Sequence, residues 1–236
     1  YGRKHQDIMT QANAADAVRD VVEYCAAHYG TLSFGSGETL KLIQSRIAGG
    51  GYAAGGASLL DESDFTAANL NRAEKGSGDS EVMIHELVHQ WWGLGNMFDI
   101  PEPDSPWSAE GLTVYTTYRI VKELYGEEYA RTHYIDQWQQ EVDDYYLNFY
   151  VRHPEYLEML PEAERLRISN SLSGMRQYSE MPLKILKAEQ LVGGEDAMDQ
   201  ILYDLFNREI DPMYPYLTYD EFLSACGLTE EDLNLG

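Results

Sequence analysis

The segment His85-Glu86-Leu87-Val88-His89 sets two imidazoles four residues apart, with a carboxylate beside the first. On a helix, residues at this spacing share one face, so both rings can reach a single cation. Zinc suits such a pair. It takes neutral ring nitrogens at about 2.0–2.1 Å, favours four ligands, and in a catalytic site leaves one position to water. Glu86 is turned about 100° around the helix from His85, so it can face the solvent molecule instead of the ion. The chemistry these residues suggest is hydrolysis by metal-activated water, whose pKa falls towards about 7, with Glu86 as the base that takes its proton. The remaining histidines (His5, His28, His133 and His153) have no comparable spacing and read as ordinary surface or loop residues.

A site of this kind needs a third protein ligand. Glu110 follows in Trp107-Ser108-Ala109-Glu110-Gly111, in the first turn of the next expected helix, where a carboxylate also suits the helix dipole. Asp99, Glu102 and Asp104 compete for the role, but they fall in a loop with Pro101, Pro103 and Pro106. A ligand carried on a helix is held in a better-defined direction than one on a loop. The reading is therefore one Zn²⁺ per chain on His85, His89 and Glu110.

The run His85-Glu86-Leu87-Val88-His89-Gln90-Trp91-Trp92-Gly93, followed by Trp107-Ser108-Ala109-Glu110-Gly111, resembles the aminopeptidase-N-like gluzincin metallopeptidases. Those carry HExxHxWxG and then WxxEG, whose Glu is the third zinc ligand. Matched residue by residue, the resemblance gives His85 and His89 as ligands, Glu86 as general base and Glu110 as third ligand. The loop between them is slightly longer here, with Leu94-Gly95 set between Gly93 and Asn96. Downstream, Tyr178-Ser179-Glu180-Met181-Pro182-Leu183 is similar to the start of the family's helix that bears the oxyanion-binding tyrosine, which implies that role for Tyr178. Upstream, Gly55-Gly56-Ala57-Ser58-Leu59-Leu60 is similar to the family's strand-edge segment, which implies substrate contacts from Gly55, Gly56 and Ala57. The family's amine-binding Glu would then fall at Leu59, so the family's amine anchor is missing there. The resemblance implies a thermolysin-like catalytic domain, α+β and mostly helical, that hydrolyses short peptides in the manner of an aminopeptidase. An endopeptidase, another zinc hydrolase on the same scaffold, or a peptide-binding module of a larger membrane protein are the alternatives.

The elements that must position these residues can be read from periodicity. Residues 14–28 predict an amphipathic helix ended by Gly30, and 39–47 alternate as a strand does. The glycine-rich stretch 49–56 leads into a second strand over 57–61, and 71–79 is a polar linker. Helices are expected at 80–92 (capped by Asp79 or Ser80), 109–125 (capped by Ser108), 127–150, 178–192, 195–208 and 218–226, with 153–175 less regular. Trp91 and Trp92 are expected to support the metal helix from the core. The outline is a small α/β lobe over 1–75, with a substrate-facing edge strand, and a helical lobe over 76–236 that carries the chemistry.

Composition bounds the partners. With 236 residues and 44% apolar content the chain can bury a sizeable core. A net charge of −23 repels phosphate backbones and anionic bilayers, which argues against nucleic acid as a partner; it favours solubility and attraction of basic peptides. Cys25 and Cys226 match no metal or redox spacing. No apolar run reaches the roughly 18 residues that span a bilayer. The chain starts at Tyr1, and the expectation is a fragment of a longer protein with further domains, in an extracytoplasmic or cell-surface setting.

Overall fold

The computed structural model describes residues 6–7, 14–32, 39–46, 50–64, 80–94, 107 and 109–235. The linker 71–79, the proline-bearing loop with Asp99, Glu102 and Asp104, and the caps expected at Asp79 and Ser108 lie outside these residues. The architecture is mostly helical with one small sheet.

Three strands form that sheet: β1 (Lys41–Ser45), β2 (Gly51–Ala54) and β3 (Ala57–Asp61). β3 lies in the centre, parallel to β1 and antiparallel to β2. Ala54 pairs with Ala57 across Gly55-Gly56, so β2 and β3 make a tight hairpin. Gly56, the second turn residue, has φ +73°, the left-handed conformation that a type II turn requires at this position and that glycine supplies. β2 departs from the sequence reading, which placed a strand only over the second half of this region. Gly-Tyr-Ala-Ala has no alternation of branched side chains, and pairing with β3 makes it a strand.

The helical body is built around α3 (Ala109–Tyr125), preceded by α1 (Ala14–Tyr29) and α2 (Ser80–Val88). α3 is buried along almost its whole length, from Gly111 to Val121. Next, α4 (Glu127–Ala130) passes through a π-helical turn (Arg131–Ile135) into α5 (Asp136–Leu147). The short helices α6 (Phe149–Arg152) and α7 (Pro154–Leu157) lead to α8 (Glu162–Met175). The stretch expected to be irregular is thus mainly helical; α8 buries no residue and shows little amphipathic pattern, which hid it. A second π-helical turn (Arg176–Glu180) joins α8 to α9 (Met181–Val192), which packs on α3. α10 (Glu195–Phe206) and α11 (Tyr219–Cys226) complete the body.

α1 packs against α10 and α2. The core is one continuous set of buried side chains with Trp91, Trp92, Tyr29, Tyr115 and Phe206 among its largest members.

Candidate active site

His85 and Glu86 sit near the end of α2, and His89 follows in the turn that closes it, its N–H still donating to the His85 carbonyl. Beyond His89 the chain tightens: Trp91 N–H donates to Val88 O at 2.9 Å. Trp91 and Trp92 are wholly buried, as expected of supports for this helix. The Trp91 indole donates to Gly30 O on the α1 side at 2.8 Å, and the Trp92 indole to Thr116 Oγ1 on α3 at 2.8 Å. These two bonds fix the position and rotation of the segment that bears both histidines.

Two glycines bring other elements close enough to complete the site. A Cβ at Gly51 would stand 2.2 Å from the Glu86 side chain, so only glycine lets β2 lie against that carboxylate. Gly93 has φ +97°, and a Cβ there would meet Ala109 Cβ at 2.6 Å; this brings the first turn of α3, with Glu110, up to the histidines.

The result is a convergence. His85 Nε2 and His89 Nε2 are 3.1 Å apart, and Glu110 Oε2 lies 3.1 Å from the first and 3.4 Å from the second. Bonds of about 2.0–2.1 Å to a tetrahedral ion would set its ligands about 3.3–3.4 Å apart, close to these separations. His89 Nδ1 lies 3.1 Å from both Trp92 O and Thr113 Oγ1. Its N–H donates there, which leaves the Nε2 lone pair facing the convergence. Among the described residues, His85, His89 and Glu110 form the group of side chains fit to hold a metal ion.

Burial and mutual contacts set the charge state of each group differently. Burial lowers the pKa of His85 and favours its neutral, metal-binding form. Burial works against the charge on Glu110, but hydrogen bonds from both histidines hold its carboxyl well below the usual range. Burial would also lower His89, yet the hydrogen bond to Glu110 prevails and raises it. Glu86 is 6% exposed, and burial pushes its carboxyl up to about 7, a value suited to proton transfer near neutrality.

The triad opens into a cavity of about 370 Å³ lined by Gly51, Tyr52 and Ala53 of β2, by Gly93, Leu94 and Ala109, and by Glu86 and Tyr178. The Tyr178 ring centre lies 6.2 Å from that of His85. Burial and a hydrogen bond to Glu110 raise the pKa of its phenol, so it remains a proton-bearing donor.

Gly55, Gly56 and Ala57, expected to contact substrate, are not among the residues that line this cavity. They turn the hairpin against α2, where Gln90 engages their backbone. Gln90 Oε1 accepts from Gly56 N–H at 2.9 Å, and Nε2 donates to Ala54 O at 3.0 Å and Ala57 O at 3.2 Å. Ser58 Oγ, fully buried, donates to Glu86 O at 2.7 Å. The strand at the cavity is β2, and the wall it contributes is neutral. Leu59, where the resemblance would put the amine anchor, lies opposite Tyr52 of β2. Gln90, Ser58, Gly51 and Thr113 are the residues the sequence did not single out. Gln90 carried one available signal, a buried amide inside the motif that must find partners.

Known proteins resemble parts of this chain. The chain is 31% identical over 100 residues to leucine aminopeptidase 2 of Emericella nidulans, a match covering 42% of this chain and 16% of that protein. It is 27% identical over 117 residues to leukotriene A-4 hydrolase of Xenopus laevis, covering 50% of this chain and 18% of that one. The fold resembles that of yeast LTA4 hydrolase, solved in complex with bestatin, with a TM-score of 0.61 at 16% identity over 89% of this chain and 31% of the other. The chain thus spans less than a third of the length of each. The model of the peptidase family M1 domain matches residues 19–153, more than half of the chain and the stretch holding all three converging side chains; the chain belongs to peptidase family M1, with a gluzincin-type fold.

Proposed function

We propose that the protein of which this chain is part hydrolyses peptide bonds, with one Zn²⁺ held by His85, His89 and Glu110. The observation that carries the reading is the approach of two imidazole nitrogens and one carboxylate oxygen to within 3.1–3.4 Å of one another, beside a second, buried carboxylate. When bound, zinc supplies Lewis acidity towards a carbonyl and towards water. The protein's side chains do the rest. Glu86 takes the proton from the attacking water and delivers it to the departing amine nitrogen. Tyr178 donates a hydrogen bond to the oxygen on which charge develops, a contribution of about 2.7–4 kcal/mol for one such donor. The edge strand β2 aligns the peptide as an added strand along Gly51–Ala53.

An aminopeptidase acting on short peptides is the first reading, by likeness to the leucine aminopeptidases. The neutral wall at Gly51, Tyr52 and Ala53 favours a second, cleavage next to an acylated nitrogen, as in an endopeptidase. Paired free and N-acetylated peptides separate the two. For the catalytic proposal itself, Glu86→Gln should retain about one zinc per chain and lose about 10²–10⁴-fold in turnover. A Gln variant with undiminished cleavage would overturn it.

A further inference from the structure

Tyr178 stands in the middle of the π-helical turn Arg176–Glu180. The catalytic proposal above makes no use of Glu180, two residues on, which is only 3% exposed and carries a carboxylate. A charge taken out of water in this way must be matched by its surroundings. The Glu180 partners come from both sides of the turn and from a separate helix. Arg176 Nε, which opens the turn, donates to Oε2 at 2.8 Å. Lys184 Nζ, on α9 past its end, lies 3.3 Å from Oε1. The Tyr146 hydroxyl of α5 donates to Oε1 at 3.1 Å. Lys184 is bound in turn to Glu230 at 2.5 Å, and Ser179 Oγ donates to Glu141, also on α5.

A π-turn holds one more residue than the α-helical turn it replaces and is less favourable, so it lasts only where its surroundings impose it. It also decides which side chain faces the cavity. Taking out the extra residue would rotate everything on one side of the turn by about 100° relative to the other. Tyr178, 43% exposed, would leave the cavity, or the buried face of α9 would leave α3. Glu180 joins the residue four before it to the residue four after it, and so clamps the turn at both ends.

We infer that Glu180 is a positioning residue for Tyr178: its buried carboxylate, held by Arg176, Lys184 and Tyr146, imposes the π-turn that aims the Tyr178 hydroxyl at the zinc-ligand cluster. The inference rests on the proposed role of Tyr178. Tyr178 would act on charge that develops in the transition state, so a loss of aim lowers kcat and leaves KM nearly unchanged.

The test is a double-mutant cycle in the full-length zinc-loaded enzyme. Glu180→Gln should lower kcat roughly tenfold, since small misplacements cost up to about 10²-fold. In a Tyr178→Phe background the same change should have less than about a twofold effect, because the hydroxyl it aims is already absent. Tyr146→Phe removes one donor and leaves both cations in place; it should give a smaller loss of the same non-additive kind, and it serves if Glu180→Gln does not fold. An equal loss in both backgrounds, or a loss confined to KM, would overturn the inference and leave the catalytic reading standing. Full activity of Tyr178→Phe itself would remove the role of Tyr178, and this inference with it. A wild-type enzyme without zinc-dependent cleavage would instead sink the functional reading.

Discussion

α3 carries two buried polar clusters, and they differ in one respect that matters. Near its middle, Arg119 donates to Tyr115 OH at 2.7 Å and to Asp199 at 3.1 Å, and lies 3.3 Å from both Glu189 and Glu195. Asp199 also meets His28 Nδ1 at 2.7 Å, so the cluster ties α1, α3, α9 and α10 together. Here cation and anions are both supplied by the chain. At the N-terminal end of the same helix, Glu110 meets two imidazoles whose lone pairs converge with it. That end gathers acceptors and an ionised carboxylate around a point where a cation fits. One cluster is balanced by the protein itself and holds the fold; the other brings together groups that could hold a metal ion. Polar burial marks a site only where the sum of the donors calls for an external charge.

The comparison can be broken at its self-sufficient end. Arg119→Met leaves the carboxylates of Glu189 and Asp199 buried without their cation, and removing one partner of a buried pair costs about 3–5 kcal/mol. Chemical denaturation should show this loss equally with and without zinc. Zinc affinity should not change, because no ligand touches Arg119.

A second test uses the carboxylate beside the triad. In metal-free protein the carboxyl of Glu86 is raised from 4.5 to about 7 by burial. Between these values the folded state holds a proton that the unfolded state has released. This contribution is fully present below about pH 4.5 and is lost as pH rises through about 7, up to about 3 kcal/mol in all. Glu86→Gln has no proton to lose, so the stability of the variant should fall less than that of wild type between pH 5 and pH 8. Denaturation midpoints of chelated protein at the two pH values measure it, and parallel profiles would refute the assignment. Adding zinc sharpens the contrast from the other side. At one hundred times its dissociation constant a ligand adds about 2.7 kcal/mol, an increment that His89→Ala should abolish and Arg119→Met should leave intact.

The same contrast explains what could be read from the sequence. His85, Glu86 and His89 were legible because their relation is local, one turn of one helix. Glu110 was legible because it opens a recognisable helix. β2 was not, because Gly51-Tyr52-Ala53-Ala54 has no strand periodicity; its place is set by β3 and by the Glu86 side chain it touches. The residues of this hairpin that line the cavity, Gly51, Tyr52 and Ala53, accordingly precede the Gly55–Ala57 stretch that the sequence reading singled out. The π-turn around Tyr178 has no residue signature either, and Glu141 and Tyr146, its partners on α5, lie far back along the chain. The helix end expected at Gly30 is where the structure has it, just past Tyr29 and with φ +103°, because a glycine that ends a helix acts locally.

The smallest effect expected lies where α3 touches the ligand set without supplying a ligand. Thr113 Oγ1 is 3.1 Å from His89 Nδ1, and its neighbour Thr116, equally buried, accepts from Trp92 Nε1 instead. Both are hydroxyls on the same helix, so they form a matched pair. Thr113→Val removes one of the two acceptors that orient the His89 ring and should weaken zinc binding about tenfold, the lower end for a residue that supports a metal-bound histidine. The remaining acceptor, Trp92 O, keeps the effect small. Thr113→Ser should restore affinity because it restores the oxygen. Thr116→Val strands the Trp92 N–H, so it should cost stability, about 1–3 kcal/mol for a buried group left unmade, and leave zinc affinity within about twofold. Competition against a chromophoric chelator reads the affinities without reference to turnover. If Thr116→Val weakened zinc as much as Thr113→Val, the hydroxyl on His89 would be acting through packing and not through the ring it faces.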